Sequence, residues 1–212
     1  MSIRAVVLDI GSVLEVIDES VFPGPWEQRL GLGHGGFGRA VDMHGDGLAG
    51  DPGLGRVSEA EIRAHWMARL HLDDAAADEL MRDYWRWYCG TLDQHLFDWF
   101  AALRPRFRTA ILSNSSPGAR EQEGQWGFAT ITDDLIYSHE VGLAKPDPAI
   151  YELTRSRIGV RADEIVFLDD VAENVAAARA CGWHAVLHVD ARQSIADVER
   201  VIAELALSPD GA

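Results

Sequence analysis

The sequence predicts an α/β fold: a doubly wound parallel sheet with an α-helical segment inserted near its start. Short apolar runs that each end in a polar turn, separated by helical periodicities, predict the sheet. The stretch from about 15 to 90 breaks that alternation and predicts the insertion.

Residues 3–8 (IRAVVL) form a β-branched apolar run that Asp9 ends, with Gly11 and Ser12 in the following turn. Such a run reads as a buried strand with a carboxylate at its C-terminal end. Within 15–90, residues 31–55 hold ten glycines and predict irregular backbone. Segments 58–70 and 73–88 are amphipathic helices, and Ser58 with Glu61 three residues later makes a capping box. Gly90 and Thr91 mark the return to the sheet, and a helix is predicted over 91–103. Three more strands follow: 109–112 ending in SNSSPG, 164–168 ending in DD, and 184–189 ending at Asp190. Helices are predicted at 146–158, 171–181 and 194–207, the last capped by Ser194.

Composition narrows the function. Against 34 acidic residues stand 19 basic ones, a formal net charge of −15, which argues against nucleic acid or an anionic membrane surface as partner. Eighteen of the 19 are arginine, and the single lysine is Lys145. Cys89 and Cys181 match no metal or disulfide spacing and read as free thiols of a cytoplasmic protein. No apolar run reaches the ~18 residues of a membrane span.

In a doubly wound sheet the residues just past the strand C-termini face one crevice. Three polar turns therefore converge: Asp9 to Gly11, Ser113 to Asn114, and Asp169 to Asp170. Carboxylates on separate turns suit a hard cation such as Mg²⁺. The Ser113 hydroxyl and the Asn114 backbone amide are donors for phosphoryl oxygens. Lys145, in GLAKPDP, can neutralise both the carboxylates and a bound phosphate.

With these residues in place, the sequence resembles the haloacid dehalogenase superfamily. LDIGSVL at 8–14, ILSNSS at 111–116, GLAKPDPAIY at 142–151 and IVFLDDVAENVAAARACG at 165–182 resemble its four motifs, in order. The resemblance implies a Rossmann-like core at 1–14 and 91–212, with residues 15–90 as a helical cap of the first type. It implies hydrolysis of a small phosphorylated metabolite, a sugar phosphate among the candidates, through an aspartyl-phosphate. Asp9 would be the nucleophile. Mg²⁺ would be held by Asp9, the Gly11 carbonyl and Asp169. Ser113, Asn114 and Lys145 would hold the phosphoryl group, with Asp170 and Asn174 in support.

Gly11 departs from the pattern, because phosphatases of the family usually carry there a second aspartate that protonates the leaving alcohol. Members resembling glucose-1-phosphate phosphatases share the DxG form. His34, His44 and Glu15 are the candidate replacements in this chain. Two other readings accommodate the glycine: a carbon–halogen hydrolase, whose halide leaves without a proton, and a phosphate-binding scaffold weakened in turnover. GLGHGG at 31–36 formally matches a dinucleotide fingerprint, but no strand precedes it, and it reads as a loop. Trp66, Trp85 and Trp99 read as core, while Trp26 and Trp87 are either core or a roof over the crevice. Arg29 and Arg39 are basic groups of the insert within possible reach of an anion.

Overall fold

The computed structural model describes residues 2–41 and 48–207. Five parallel strands form the central sheet in the order β5-β4-β1-β6-β7: β1 (Ala5–Leu8), β4 (Arg108–Ser113), β5 (Asp134–Tyr137), β6 (Ile165–Asp169) and β7 (His184–Leu187). β2 (Glu15–Val16) and β3 (Thr91–Leu92) make a separate antiparallel ribbon. Between them lie α1 (Gly24–Leu30), α2 (Gly36–Val41), α3 (Glu59–Leu70) and α4 (Asp74–Cys89). Then come α5 (Gln94–Leu103), the short α6 (Ala119–Glu123), α7 (Phe128–Ile131) and α8 (Ser138–Val141), and finally α9 (Pro148–Ile158), α10 (Ala172–Ala180) and α11 (Ala191–Leu207).

Strand β1 shows why the sheet is covered on both faces. Its side chains alternate, so Val6 and Leu8 enter one apolar cluster while Ala5 and Val7 enter another. Leu96 and Phe100 of α5 and Val198 of α11 complete the first cluster; Ile150 and Tyr151 of α9 and Val175 of α10 complete the second. With both faces dry, the strands read as unbroken apolar runs, as parallel strands do. Register then aligns their ends. Leu8 is level with Ile111 and with Leu168, so Asp9, Ser113 and Asp169 emerge at one edge.

Several of the longer helices start on side-chain caps: the Ser58–Glu61 box before α3, Asp73 before α4 and Asp147 before α9. Three expectations are corrected. The helix predicted over 91–103 begins at Gln94 with Asp93 as cap, because Thr91 and Leu92 pair with Glu15 and Val16. The last helix begins at Ala191, where Asp190 accepts from the Gln193 amide; Ser194 lies inside it, buried, bonded to His188 Nδ1 at 2.9 Å. Within the glycine-rich 31–55 stretch, Gly36–Val41 is helical. Both cysteines are free thiols. Among the described residues no helix is long and apolar enough to cross a membrane.

Candidate active site

Asp9 follows β1, and its backbone amide donates to the Leu168 carbonyl at 3.0 Å, fastening the turn to β6. Its carboxylate is held at both ends. The Ile10 amide donates to Oδ1 at 2.8 Å, and Lys145 Nζ lies 2.8 Å from Oδ2. Lys145 Nζ also donates to Asp169 Oδ2 at 2.7 Å and to the Leu112 carbonyl at 3.0 Å. An ammonium has three protons, so the only lysine of the chain is fully engaged, and its side chain is 0% exposed.

The loop that presents Lys145 is fixed by Asn114. Its side chain accepts from the Lys145 amide and donates to the Lys145 carbonyl, each at 2.8 Å. That reciprocal clamp is a role the sequence did not suggest, since it uses the Asn114 side chain and leaves its backbone amide for a ligand. Asn174, buried on α10, donates to Asp169 Oδ1 at 3.0 Å, and the Val171 amide donates to the same oxygen at 2.8 Å. Asp169 is thereby immobilised. Ser113 ends β4 and is buried beside Asn114.

Oxygens of Asp9, Asp169 and Asp170 lie within 4.8 Å of one another, and Asp170 is the most open of the three. Three carboxylates against one ammonium leave unmet negative charge in a dry place. Burial pushes the Asp9 carboxyl up to about 7, Lys145 pulls it down and Asp169 pushes it up. Burial and the neighbouring Asp169 also raise Asp170. A set of hard oxygen donors with residual negative charge fits a small divalent cation such as Mg²⁺.

Asp9 opens into a cavity of about 270 Å³ lined also by Gly11, Ser12, Glu15, Ile17, Trp87, Ser113 and Glu123. Ser12 has a φ of 57°, a left-handed conformation uncommon for serine and a mark of a constrained turn. Gly11 has no such need: a Cβ built on it meets nothing within 4 Å. Of the two candidate replacements for the missing aspartate among the described residues, Glu15 lines this cavity. His34 lines a different one with Gly24, Glu27 and Gly33, and His44 lies outside the described residues.

Arg29 pairs with Glu79 and stacks on Trp26, and Arg39 donates to the His34 carbonyl, so neither faces Asp9. Trp26 is core, 2% exposed, with its indole N–H on Asp83. Trp87 is the tryptophan that reaches the cavity. Glu123 was missed at the sequence level. It lies in AREQE of α6, a pattern that reads as a solvated helix turn, and only tertiary packing buries it.

The comparisons with known proteins agree with this geometry. The chain is 29% identical over 218 residues to a phosphatase of Mycobacterium tuberculosis (strain CDC 1551 / Oshkosh), covering 100% of this chain and 99% of that one. It is 28% identical over 224 residues to bifunctional epoxide hydrolase 2 of Sus scrofa, covering 95% of this chain; it spans only 39% of that longer protein. A haloacid dehalogenase family enzyme of Bacteroides thetaiotaomicron, crystallised with magnesium and inorganic phosphate, superposes with a TM-score of 0.71 at 18% identity, over 88% of this chain and 94% of that one. At that identity the likeness speaks for the fold. The family model for haloacid dehalogenase-like hydrolases matches residues 27–182, and with its parallel sheet and converging strand ends the chain belongs to that family of hydrolases.

Proposed function

We propose that the chain is a Mg²⁺-dependent phosphomonoesterase that hydrolyses a small phosphorylated metabolite through an aspartyl-phosphate on Asp9. One observation carries this reading: Lys145 Nζ bridges Asp9 and Asp169 at 2.8 and 2.7 Å, at a strand-end edge shared with Ser113 and Asp170. Phosphoryl transfer needs positioning and charge neutralisation more than covalent assistance, and this arrangement provides both. The relative named a phosphatase, similar over its whole length, supports the same reaction class.

Asp9 attacks phosphorus with one carboxylate oxygen, and the bond from phosphorus to the alcohol oxygen breaks. The departing alkoxide takes up a proton from solvent, since Gly11 offers none, and the water that attacks next returns one. Water then attacks the phosphorus of the acyl-phosphate, and inorganic phosphate leaves with Asp9 restored. Lys145 counters the charge on Asp9 and on the transferring group. Ser113 Oγ and the Asn114 amide donate to phosphoryl oxygens, and Asn174 keeps Asp169 oriented. Asp9, Asp169 and Asp170 would hold the cation, with the Gly11 carbonyl as a further oxygen donor. Bound there, it would supply neutralisation of phosphoryl charge and favour the ionised, nucleophilic form of Asp9.

Residues 15–90 serve in this reading as the cap over a core of 1–14 and 91–212. Ile17, Glu19, Trp87 and Tyr88 of that segment share the cavity with Asp9 and Ser113, so the alcohol half of the substrate meets the cap. The third carboxylate, Asp170, favours a bound cation and weighs against halide displacement.

Phosphate release from a metabolite panel and from acetyl phosphate, with Mg²⁺ and with EDTA, tests the reading. Turnover is expected with Mg²⁺ only, and Asp9→Asn should lower kcat by roughly 10³-fold or more. No phosphate release from any substrate, or chloride release from 2-chloropropionate in metal-free buffer, would overturn it.

A further inference from the structure

The loop that carries Ser113 and Asn114 continues into Ser115, which is held by two consecutive residues of α8. The Ser115 amide donates to Ser138 Oγ at 2.8 Å, and its hydroxyl oxygen lies 2.7 Å from His139 Nδ1. The Ser138 hydroxyl in turn donates to the Gly53 carbonyl at 2.7 Å. Gly53 is 85 residues away in the chain, in the single helical turn Pro52–Leu54 between α2 and α3. Ser138 is 0% exposed, so water does not stand in for either partner. A hydroxyl has one proton to give; the Ser115 carbonyl is a second acceptor at 3.3 Å, and the shorter contact is to Gly53. The result is a chain of donors running from Ser115 N–H to Ser138 O–H to Gly53 C=O. Each bond of such a chain polarises the next, so the Gly53 carbonyl strengthens the hold of Ser138 on the Ser115 amide.

The turn around Gly53 is shaped to deliver that carbonyl. Asp51 Oδ1 accepts from the Gly53 amide at 2.8 Å, the Asp51 carbonyl accepts from the Arg56 amide at 3.1 Å, and the Pro52 carbonyl accepts from the Gly55 amide at 2.9 Å. Gly55 has a φ of 66°, open to glycine, and a Cβ built on it would overlap the His139 carbonyl oxygen. Backbone therefore meets backbone where this turn sits on α8, and a side chain at position 55 would hold the two apart. At the far end of the same loop a Cβ on Gly118 would crowd Trp85 of α4 and Glu59 of α3. The segment between β2 and β3 thus lies against the Ser113–Gly118 loop at both of its ends.

We propose that Ser138 is a positioning residue for the phosphoryl-binding loop, relaying to it the seating of the 52–55 turn. The inference rests on the phosphatase reading above, in which Ser113 Oγ and the Asn114 amide donate to phosphoryl oxygens, and adds the residues that hold those donors in place. Ser138 does not line the cavity beside Asp9, so it acts through Ser115. The Asn114 side chain ties the loop to Lys145, and the Ser138 chain ties it on the other side of the Asn114 peptide. With both sides pinned, the donors between them are aimed before a ligand arrives, and small misplacements of such groups are costly.

Two readouts in MgCl₂ test the relay: calorimetric binding of inorganic phosphate, and hydrogen exchange of the Ser115 amide followed by NMR. Ser138→Ala removes the relay from the core side. Gly55→Ala blocks the seating from the other side and leaves every residue of the loop in place. Each should weaken phosphate binding about tenfold, the size of one hydrogen-bond contribution. Each should also speed Ser115 exchange about tenfold while the Ile111 amide of β4 keeps its rate, as a local opening does. The double variant should bind phosphate no more weakly than Ser138→Ala alone, because both substitutions break one link. If one variant fails to fold, exchange and binding in the other decide. Unchanged phosphate affinity, losses that add in the double variant, or equal acceleration at Ser115 and Ile111 overturns the proposal. A wild type that binds phosphate yet releases none from any phosphomonoester sinks the phosphatase reading alone, since both readouts still report on the relay. One that turns over while the variants keep its phosphate affinity sinks the relay alone.

Discussion

Gly11 shows how one residue can be free structurally and decisive chemically. Its surroundings leave space for a Cβ, so neither packing nor backbone requires glycine there. In the proposed reaction, what the glycine removes is a carboxyl beside the leaving-group oxygen. Gly11→Asp should therefore meet no steric obstacle, and its loss of about 1–2 kcal/mol should come from one more carboxyl beside the Asp9 cluster rather than from packing. Its effect should fall on chemistry. Substrates with poor leaving groups gain most, up to about 10²-fold or more in kcat/KM, and acetyl phosphate gains little because its leaving group needs no proton. Plotting log kcat/KM against leaving-group pKa for both proteins checks this: the variant's line should be flatter. A parallel line would mean that the wild type already delivers a proton at that oxygen by another route. By contrast Lys145 is constrained on every side, by three hydrogen bonds from Nζ and by the Asn114 clamp on its backbone. Its place in the sequence drew attention because arginine fills every other basic position. The Asn114 clamp was not legible, because 31 residues separate the partners and only the fold brings them together.

At the scale of elements, the β2–β3 ribbon governs how the inserted helices rejoin the sheet. Gly90 ends α4 at φ 49°, ψ −134°, a conformation open to glycine, and a Cβ there would stand 2.3 Å from the Val16 carbonyl oxygen. Gly90→Ala must strain the backbone or open the Val16–Thr91 pairing. The expected loss is about 2 kcal/mol, a fall in Tm of about 4–8 °C by calorimetry for a chain of this size. A Tm within 1 °C of wild type would show that the ribbon yields without cost. The same ribbon explains a misplaced boundary. Thr91 and Leu92 lie next to a run with clear helical periodicity, and only pairing with Glu15 and Val16 keeps them extended. Strand β5 was missed for a related reason: DLIY is short, begins with Asp134 and becomes a strand by pairing with β4. Strands β1, β4 and β6 were visible because burial on both faces writes an unbroken apolar run into the sequence, and β7 because a similar run precedes Asp190.

For the whole molecule, the surface and the interior place their acidic residues under opposite rules. Most of the acidic excess lies at the surface, where it contributes a repulsion that salt screens. The buried carboxyl of Glu123 loses a proton near 4.5 when the chain is unfolded and near 8 when it is folded. Between those values the folded state binds the extra proton, so stability falls as pH rises, by about 1.4 kcal/mol per pH unit for each such group. Glu15, raised to about 10, acts in the same direction. Half-buried His139 and His188 are lowered instead, and their contribution increases with pH only until the unfolded imidazole deprotonates near 6.5. The interval from pH 7 to 8 thus isolates the carboxyls. In EDTA and 1 M NaCl, urea unfolding should give a free energy that declines across this interval. Glu123→Gln should decline less steeply, by about one proton's share. Equal slopes for the two proteins would place Glu123 among the ionised surface carboxylates and remove it from the proton-bearing interior of the cavity.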